Sequence, residues 1–183
     1  TEMSPLGTSN SSGARRHQYD AETFAKMRTN VGQPIFGVDV KITDDDNEEL
    51  PWDGVAFGAL KVRGPWICSS YFKLDGSSAH EEDGWFETGD VATIDPRGNV
   101  SITDRTKDVI KSGGEWISSI EIENCATGHP QVAEAAVIGR NHPKWGERPL
   151  LIIVKSGEDA VAPDELQGYL DGKIAKWWMP DDV

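Results

Sequence analysis

Two short stretches of the sequence combine residue types that could bind a ligand with hydroxyl and phosphate groups. The first covers residues 84–90 (GWFETGD), where a bulky aromatic anchor, a glycine and a carboxylate meet at the start of a predicted strand. The Asp90 carboxylate could accept hydrogen bonds from two vicinal hydroxyls, and charge-assisted bonds of this kind contribute about 1.5–3 kcal/mol each. The same spacing also suits an aspartate that caps a turn beside a core tryptophan. Spacing alone leaves both interpretations open.

The second stretch, residues 103–115 (TDRTKDVIKSGGE), places three cations and two glycines around one short predicted strand. Arg105 offers a planar fork for phosphate or ribose, whereas Lys107 and Lys111 are mobile point charges. Gly113-Gly114 would let a ligand approach the backbone closely. The alternative is a solvated charged strand followed by a tight turn. Neither GxxxxGK[ST] nor GxGxxG occurs in the sequence, so phosphate-binding loops of those types are absent.

Other kinds of chemistry have little support in the sequence. The four histidines show no ligand spacing, the two cysteines lie far apart without a zinc-type cluster, and no serine lies in a GxSxG elbow. The acidic run at 44–49 is expected to be a solvated turn. A hydrolase, a disulfide framework and a zinc site are therefore not predicted, and a reducing cytoplasm is the expected location.

Length and charge limit the class of protein further. A chain of 183 residues corresponds to one domain or one and a half, which excludes a full multi-domain enzyme. Its 18 Lys and Arg against 31 Asp and Glu give a net charge of −13. Nucleic acid is therefore not an expected partner, because a surface that binds nucleic acid needs many cations to contact the phosphates. The longest apolar run, at 149–154, is far shorter than the ~18 residues of a membrane span, so stable membrane insertion is not expected.

Strands must position Asp90 in the first half of the chain. Apolar residues three apart predict a helix over 19–30. Partly alternating stretches then predict strands at 34–43, 55–64 and 66–72, which would form a small antiparallel barrel or sheet. A hairpin is predicted between strands 91–95 and 100–104, with Gly98 taking a positive φ in its turn.

The second half of the chain alternates strands and helices. The patterns predict a strand at 109–111, a turn at Gly113-Gly114, a helix over 118–127, strands at 132–139 and 150–155, and a helix over 163–178. This order predicts a second, smaller α+β domain that begins near Lys107. The chain as a whole is predicted to be α+β, with a β-rich, distorted barrel-like part followed by a small α+β domain.

Several segments together resemble the adenylate-forming superfamily, and in particular the fatty acyl-CoA synthetases; the bacterial methylmercaptopropionate-CoA ligases are also very similar. The matching segments follow the order of the family over nearly the whole chain: TEMSPLGT at 1–8, GWFETGD at 84–90, ITDRTKDVIKSGGEWIS at 102–118, IEIEN at 120–124, HPQVAEAAVIG at 129–139, HPKWGERPLLIIV at 142–154 and KIAKWWMPDD at 173–182. The resemblance favours the ligand-binding interpretation of Asp90 and of the cationic stretch.

The resemblance implies an enzyme that activates a carboxylic acid. In this family the carboxylate attacks the α-phosphorus of ATP, with Mg²⁺ neutralising charge, and coenzyme A then attacks the acyl-adenylate. Carried over to this chain, the resemblance implies that Thr1 contacts the α-phosphate and that Glu2 helps to hold magnesium. It also implies that Asp90 binds the ribose hydroxyls and that Arg105 binds ribose or phosphate. Such a transfer needs positioning and fixed cations and no protein nucleophile.

The resemblance also implies a mobile small domain. Residues 1–106 would be the end of a large AMP-binding domain and residues 107–183 an incomplete small domain, with Lys107 as the hinge between two poses. Lys111 would act in the active site. Four residues are expected to bind coenzyme A, and we refer to them together as the glycine turn: Gly113, Gly114, Glu115 and Trp116. A homodimer of the full-length enzyme is compatible with this resemblance.

Parts of the family pattern are missing from this chain. The resemblance places a Ser/Thr/Gly-rich phosphate loop and most of an acyl pocket before Thr1, and a catalytic lysine beyond Val183. Losing an electrostatic partner of this kind costs roughly 2.7–4 kcal/mol of barrier, so the chain by itself is expected to be inactive. Two alternatives stay open: a non-catalytic module that binds AMP, coenzyme A or a partner, and a ligase for a short acid such as methylmercaptopropionate.

Overall fold

The structure, a computed structural model, describes residues 2–4, 6–10, 17–73, 80–81, 83–157 and 161–183. Its internal contacts divide the chain into two compact units, Thr1–Thr103 and Asp104–Val183. Both units are rich in strands, and together they carry three α-helices and ten strands in the described residues. The predicted α+β class is therefore confirmed.

The first unit begins with a short sheet and a helix. Strands β1 (Thr8–Ser9) and β2 (Gln33–Pro34) pair in antiparallel fashion on either side of helix α1 (Ala21–Thr29) in the sequence. The Asp20 carboxylate caps α1, because its Oδ1 accepts a 2.8 Å hydrogen bond from the Thr23 backbone N–H. The helix predicted over 19–30 is confirmed within this range.

A four-stranded sheet forms the core of the first unit. Its strands are β3 (Asp39–Thr43), β4 (Phe57–Arg63), β5 (Phe86–Ile94) and β6 (Val100–Arg105), in the order β3-β4-β5-β6. Gly98 has a φ of 81° in the β5–β6 connection, as the hairpin prediction requires. In the described residues this sheet is open and does not close into a barrel. The apolar side chains buried against it are Val38, Val40, Ile42, Leu60, Val62, Phe86, Ala92, Ile94 and Val100.

The strand predicted over 66–72 is wrong. The chain turns here instead, with a hydrogen bond from Ile67 N to the Gly64 carbonyl, and Ile67 makes only an isolated bridge to Met3. Pro65 has no N–H to contribute to a strand ladder, and Gly64 has a φ of 155°, so the Gly-Pro pair redirects the chain.

A second antiparallel sheet organises the second unit. Strands β7 (Ile110–Ser112), β8 (Glu115–Ile117), β9 (Val132–His142) and β10 (Gly146–Lys155) have the order β8-β7-β10-β9. Helix α2 (Ser119–Thr127) packs against β9 and is N-capped by Ser118, whose Oγ accepts from Glu121 N at 3.2 Å. Strand β8 was not among the predicted elements, whereas α2 confirms the helix predicted over 118–127.

The helix predicted over 163–178 is too long. Helix α3 (Pro163–Leu170) ends early, and a separate 3₁₀ turn follows at Lys176–Trp178. Gly172 has a φ of 73°, a left-handed conformation just after the helix that terminates helical hydrogen bonding. Trp178 is still buried, but Trp177 is 57% exposed. No helix in the described ranges is long and apolar enough to cross a membrane.

Candidate functional site

Asp90 lies at a bulge in strand β5. Lys61 of β4 pairs with Glu87 and Ala59 pairs with Val91, so the intervening Leu60 faces three residues, 88–90. Thr88 Oγ1 donates to the Leu60 carbonyl at 3.0 Å, and Asp90 N donates to Thr88 Oγ1 at 3.1 Å. The positive φ of Gly89, 76°, makes this local interruption of the ladder feasible. Bulges of this kind re-aim a side chain and are common beside active sites.

The aromatic anchor before the bulge contacts two cations. Lys41 Nζ and Arg63 Cζ each lie 4.5 Å from the centre of the Trp85 ring, and Trp85 is 8% exposed. Arg63 is held in turn by the Asp39 carboxylate at 3.1 Å. Because cations favour the faces of aromatic rings, this arrangement fixes the start of β5 and hence the strand that carries Asp90.

Glu2 lies beside the turn that follows β4. Its Oε1 accepts a 3.2 Å hydrogen bond from the Tyr71 hydroxyl, and its carbonyl accepts from Cys68 N at 2.8 Å. Burial, and then the charge and hydrogen bond of Glu2, raise the pKa of Tyr71 above its ordinary value. Thr1 lies outside the described residues.

Magnesium fits the donor chemistry of Glu2. Mg²⁺ prefers oxygen ligands and is commonly held by one or two carboxylates together with substrate phosphates. The described residues contain no group of three or more His, Cys, Asp or Glu side chains that could hold a metal ion without such phosphates. A single carboxylate such as Glu2 is therefore compatible with a metal that arrives with a nucleotide.

Arg105 and Lys107 occupy one turn at the start of the second unit. The Arg105 carbonyl accepts from both Asp108 N and Val109 N at 2.9 Å, which closes the turn. Arg105 N donates to the Asp104 carboxylate at 2.7 Å. Both cationic side chains are exposed. The turn therefore presents Arg105 and Lys107 to solvent on a backbone that is fixed by hydrogen bonds.

The glycine turn closes the β7–β8 hairpin. Ser112 pairs with Glu115, and the two residues between them, Gly113 and Gly114, have φ angles of 62° and 89°. Positive φ at both central residues is the conformation of a type I′ turn, which strongly favours glycine. Lys111 pairs with Trp116, and its Nζ lies 5.0 Å from the centre of the Trp116 ring. The predicted turn is confirmed, and Lys111 shares its hairpin.

The β9–β10 hairpin contributes contacts to this turn from residues to which the sequence pattern gave no role. Gly113 N donates to the Trp145 carbonyl at 2.7 Å, and Lys111 N donates to Glu147 Oε2 at 2.9 Å. A Cβ atom on Gly113 would lie 2.8 Å from Trp145 Cε3, so the indole covers this glycine. The signal that could have found these residues is the segment HPKWGER at 142–148, which is family-like but carried no expected role.

The described structure thus groups part of the predicted set. Lys111 and the glycine turn lie on one hairpin, and Arg105 and Lys107 lie in the turn that precedes it. Asp90 lies on β5 and Glu2 beside Cys68, both in the first unit.

A cavity of about 410 Å³ adjoins Lys107 in the second unit. Three carboxylates in its lining already hold backbone groups: Asp104 accepts from Ser119 N at 2.7 Å, Glu123 accepts from Val137 N at 2.8 Å, and Glu147 accepts from Lys111 N. These acidic side chains therefore stabilise the fold around the turn.

Comparison with known proteins gives one family and many relatives. The family described as AMP-binding enzyme C-terminal domain matches residues 121–183. The 3-methylmercaptopropionyl-CoA ligase of Ruegeria lacuscaerulensis is 55% identical over 100% of this chain and 34% of its own length. The medium-chain-fatty-acid–CoA ligase of Ectopseudomonas oleovorans is 46% identical over 99% of the chain and 33% of its length. The long-chain-fatty-acid–CoA ligase of Thermus thermophilus is 42% identical over 99% and 34%.

Solved structures agree with these relatives. The o-succinylbenzoate CoA synthetase of Bacillus subtilis with its acyl-adenylate intermediate has a TM-score of 0.73 at 31% identity, covering 90% of this chain and 34% of that one. The same enzyme with ATP and a magnesium ion has a TM-score of 0.70 at 32% identity, covering 84% and 31%. The chain spans about a third of the length of the proteins it matches.

Proposed function

Because this chain belongs to the adenylate-forming family of AMP-binding enzymes, we propose that it works as part of an ATP-dependent acyl-CoA ligase. The observation that carries the proposal is the similarity along essentially the whole chain to three ligases that differ in acyl substrate but share coenzyme A as acceptor. A non-catalytic binding module is not favoured, since these relatives are named as enzymes.

The proposed reaction has two balanced steps. In the first, a carboxylate oxygen bonds to the α-phosphorus of ATP while the bond to the β-phosphate oxygen breaks, which gives an acyl-adenylate and pyrophosphate. In the second, the thiolate of coenzyme A attacks the acyl carbon and AMP leaves, giving the thioester. Neither step needs a covalent bond to the protein, so the side chains act by positioning and by stabilising charge.

In this proposal residues 1–106, the end of the AMP-binding domain, hold the nucleotide. Asp90, aimed by the bulge at Gly89, accepts hydrogen bonds from the two ribose hydroxyls. Arg105 binds ribose or phosphate with its planar donors, and Thr1 contacts the α-phosphate. Glu2 would hold Mg²⁺, which when bound neutralises charge on the phosphates.

The second unit serves the coenzyme A step. Lys111 and the glycine turn line the path of coenzyme A, and the exposed Gly114, where an added Cβ would meet nothing within 4 Å, allows its pantetheine arm to approach the backbone. Lys107 is the hinge between residues 1–106, the end of the AMP-binding domain, and residues 107–183, the small domain. A swing about Lys107 would let one active site exchange its lining between the two steps.

The acyl substrate is proposed as an aliphatic carboxylic acid, either a fatty acid or a short thioether acid such as 3-methylmercaptopropionate. Both kinds of acid should be tested, because the 3-methylmercaptopropionyl-CoA ligase is 55% identical to this chain and the two fatty-acid–CoA ligases are 46% and 42% identical. We assign the ligase to the cytoplasm, where the free thiols of Cys68 and Cys125 persist. A homodimer is the assembly to be tested by sedimentation.

The test uses the intact ligase that contains this chain. ATP–pyrophosphate exchange and acyl-CoA formation are measured with 3-methylmercaptopropionate and with fatty acids of short, medium and long chain. We expect exchange and thioester formation with at least one of these acids. No exchange with any of them would refute the proposal.

Calorimetry of the 183-residue chain with AMP and with coenzyme A separates the ligase from a binding module. Part of a cleft should bind weakly, because affinity depends on a complete and preorganised site. Submicromolar binding by this chain alone would support the module instead.

A further inference from the structure

The Arg148 side chain on β10 joins three parts of the second unit. Its Nε donates to Asp181 Oδ1 at 2.9 Å, its Nη1 to the Trp177 carbonyl at 2.8 Å, and its Nη2 to the Met179 carbonyl at 2.9 Å. Nη1 also donates to Ser112 Oγ at 3.3 Å. The side chain is only 15% exposed, so these bonds are shielded from water.

Arginine suits this position for a geometric reason. Its guanidinium is planar and always charged, and its donors point in fixed directions, so it can satisfy a carboxylate and two carbonyls at once. The two carbonyls, of Trp177 and Met179, lie around the 3₁₀ turn at Lys176–Trp178, where no helix continues to supply donors for them. A lysine carries a single point charge and cannot reach all of these acceptors together.

The contact with Ser112 connects Arg148 to the glycine turn. Ser112 is 8% exposed and is the residue just before Gly113. Three residues from one stretch of chain hold three consecutive residues of the hairpin: Glu147 accepts from Lys111 N, Arg148 donates to Ser112 Oγ, and the Trp145 carbonyl accepts from Gly113 N. Of these three, Arg148 is the one that also reaches residues 177–181.

The segment 177–182 has other attachments that do not involve Arg148. Asp181 N donates to the Pro149 carbonyl at 3.0 Å and Leu151 N donates to the Asp182 carbonyl at 3.1 Å. Gln167 Nε2 donates to the Pro180 carbonyl at 3.1 Å. Replacing Arg148 should therefore loosen the segment without abolishing the fold.

We propose that Arg148 is a positioning residue for the coenzyme A step, because it ties the entrance of the glycine turn to segment 177–182. This inference rests on the function proposed above. Arg148 holds Ser112 and thereby fixes the backbone conformation of the glycine turn. The turn in this conformation contacts coenzyme A. Loss of Arg148 affects the thioester step more than the adenylation step, because two of the proposed nucleotide contacts, Asp90 and Glu2, belong to the first unit.

The kinetic test compares Arg148→Met, Arg148→Lys and Arg140→Met in the intact ligase. Arg140 is the matched control, because it pairs with Arg148 in the β9–β10 register but contacts Asp182 at 3.1 Å and is 51% exposed. Arg148→Met should lower kcat/KM for coenzyme A about tenfold more than it lowers ATP–pyrophosphate exchange, since small displacements of positioning groups are costly. Compared with Arg148→Met, Arg148→Lys should restore thermal stability more than it restores kcat/KM for coenzyme A. Arg140→Met should not lower kcat/KM for coenzyme A more than it lowers ATP–pyrophosphate exchange.

Hydrogen exchange gives a readout that is independent of catalysis. Arg148→Met should speed exchange both in the peptide containing the glycine turn and in segment 177–182, whereas Arg140→Met should affect only the segment. Parallel losses in the two half-reactions, or unchanged exchange at the turn, would overturn the role of Arg148. A wild-type ligase that forms no acyl-CoA would instead refute the proposed function, while the exchange experiment would still test the coupling.

Discussion

The carboxylate of Asp104 holds the first residue of helix α2, Ser119, through two hydrogen bonds. Asp104 Oδ2 accepts from Ser119 N at 2.7 Å and from Ser119 Oγ at 3.0 Å. Asp104 is 1% exposed, and its other oxygen accepts from Arg105 N. One buried side chain therefore joins the end of β6 to a helix N-terminus, where the helix dipole favours negative charge.

Removing this carboxylate should destabilise the second unit. Asp104→Ala leaves buried N–H groups without acceptors, at about 1–3 kcal/mol each, so the free energy of unfolding should fall by about 2–4 kcal/mol. Urea unfolding of the chain measures the loss. Asp108→Ala changes an exposed carboxylate in the adjacent turn and should cost less than about 0.5 kcal/mol. Equal effects of the two substitutions would contradict this role of Asp104.

The two glycines of the turn should respond differently to alanine. Both have positive φ, so each substitution should cost about 1–2 kcal/mol of stability. Gly113→Ala should in addition displace the Trp145 ring, whereas a Cβ on Gly114 meets nothing within 4 Å. Near-ultraviolet circular dichroism, with Trp145→Phe to assign the band, should change for Gly113→Ala only. A Trp145 band that is identical in both variants would show that the indole does not cover Gly113.

Asp90→Ala in the intact ligase should raise the KM for ATP by about tenfold or more, because hydrogen bonds to a charged acceptor are worth about 1.5–3 kcal/mol. Initial rates of acyl-CoA formation at varied ATP measure the change. Asp83→Ala is the control, since Asp83 is exposed and lies just before the motif. An unchanged KM for ATP in the Asp90 variant would show that this carboxylate does not bind the ribose.

Lys107→Pro should impair movement between the two half-reactions. Proline fixes its own φ and restricts the residue before it, so the turn at Arg105–Lys107 loses the backbone freedom that a hinge needs. In the Lys107→Pro variant, the single-turnover rate of adenylation or of thioester formation, or both, should fall below the wild-type rate. Lys107→Ala removes the charge alone and should retain both rates better than the proline variant. The hinge assignment fails if the proline variant performs both steps normally.

Glu121 makes stability depend on pH. Burial, and then the charge of Asp104, raise the pKa of Glu121 above its ordinary value of 4.5. The folded state therefore favours the protonated carboxyl, and this contribution to stability is full below pH 4.5 and is lost as the pH rises through the raised pKa.

Glu121→Gln, which stays neutral, should therefore raise the melting temperature at pH 7, and the difference should disappear as the pH is lowered. Thermal unfolding across this pH range measures the effect. Glu134→Gln, at an exposed position on β9, should show no such pH-dependent gain. A Glu121 variant less stable than wild type at neutral pH would mean that the charge at the helix N-terminus outweighs burial.

Local patterns were sufficient where neighbours in the sequence determine the conformation. The helix α1 lies inside the range 19–30 that its apolar spacing predicts, and the positive φ angles of Gly98, Gly113 and Gly114 lie in the predicted turns. Local patterns failed for the strand predicted over 66–72 and for the helix predicted over 163–178. In each case the apolar pattern continues, but Gly64-Pro65 and Gly172 interrupt the regular backbone conformation.

The candidate site was only partly predictable for a different reason. Residue types and family resemblance identified Lys111 and the glycine turn, but Trp145, Glu147 and Arg148 reach that turn through the pairing of β7 with β10. Strand order is a property of the whole unit, and no local periodicity encodes which distant residues a turn will meet.

The indole that covers Gly113 makes two distant positions depend on each other in evolution. While a tryptophan occupies position 145, only glycine avoids a contact of 2.8 Å at position 113. A smaller ring or an aliphatic residue at 145 would remove this restriction, leaving only the strain of a positive φ. Across divergent homologues, substitutions at these two positions should therefore occur as correlated pairs.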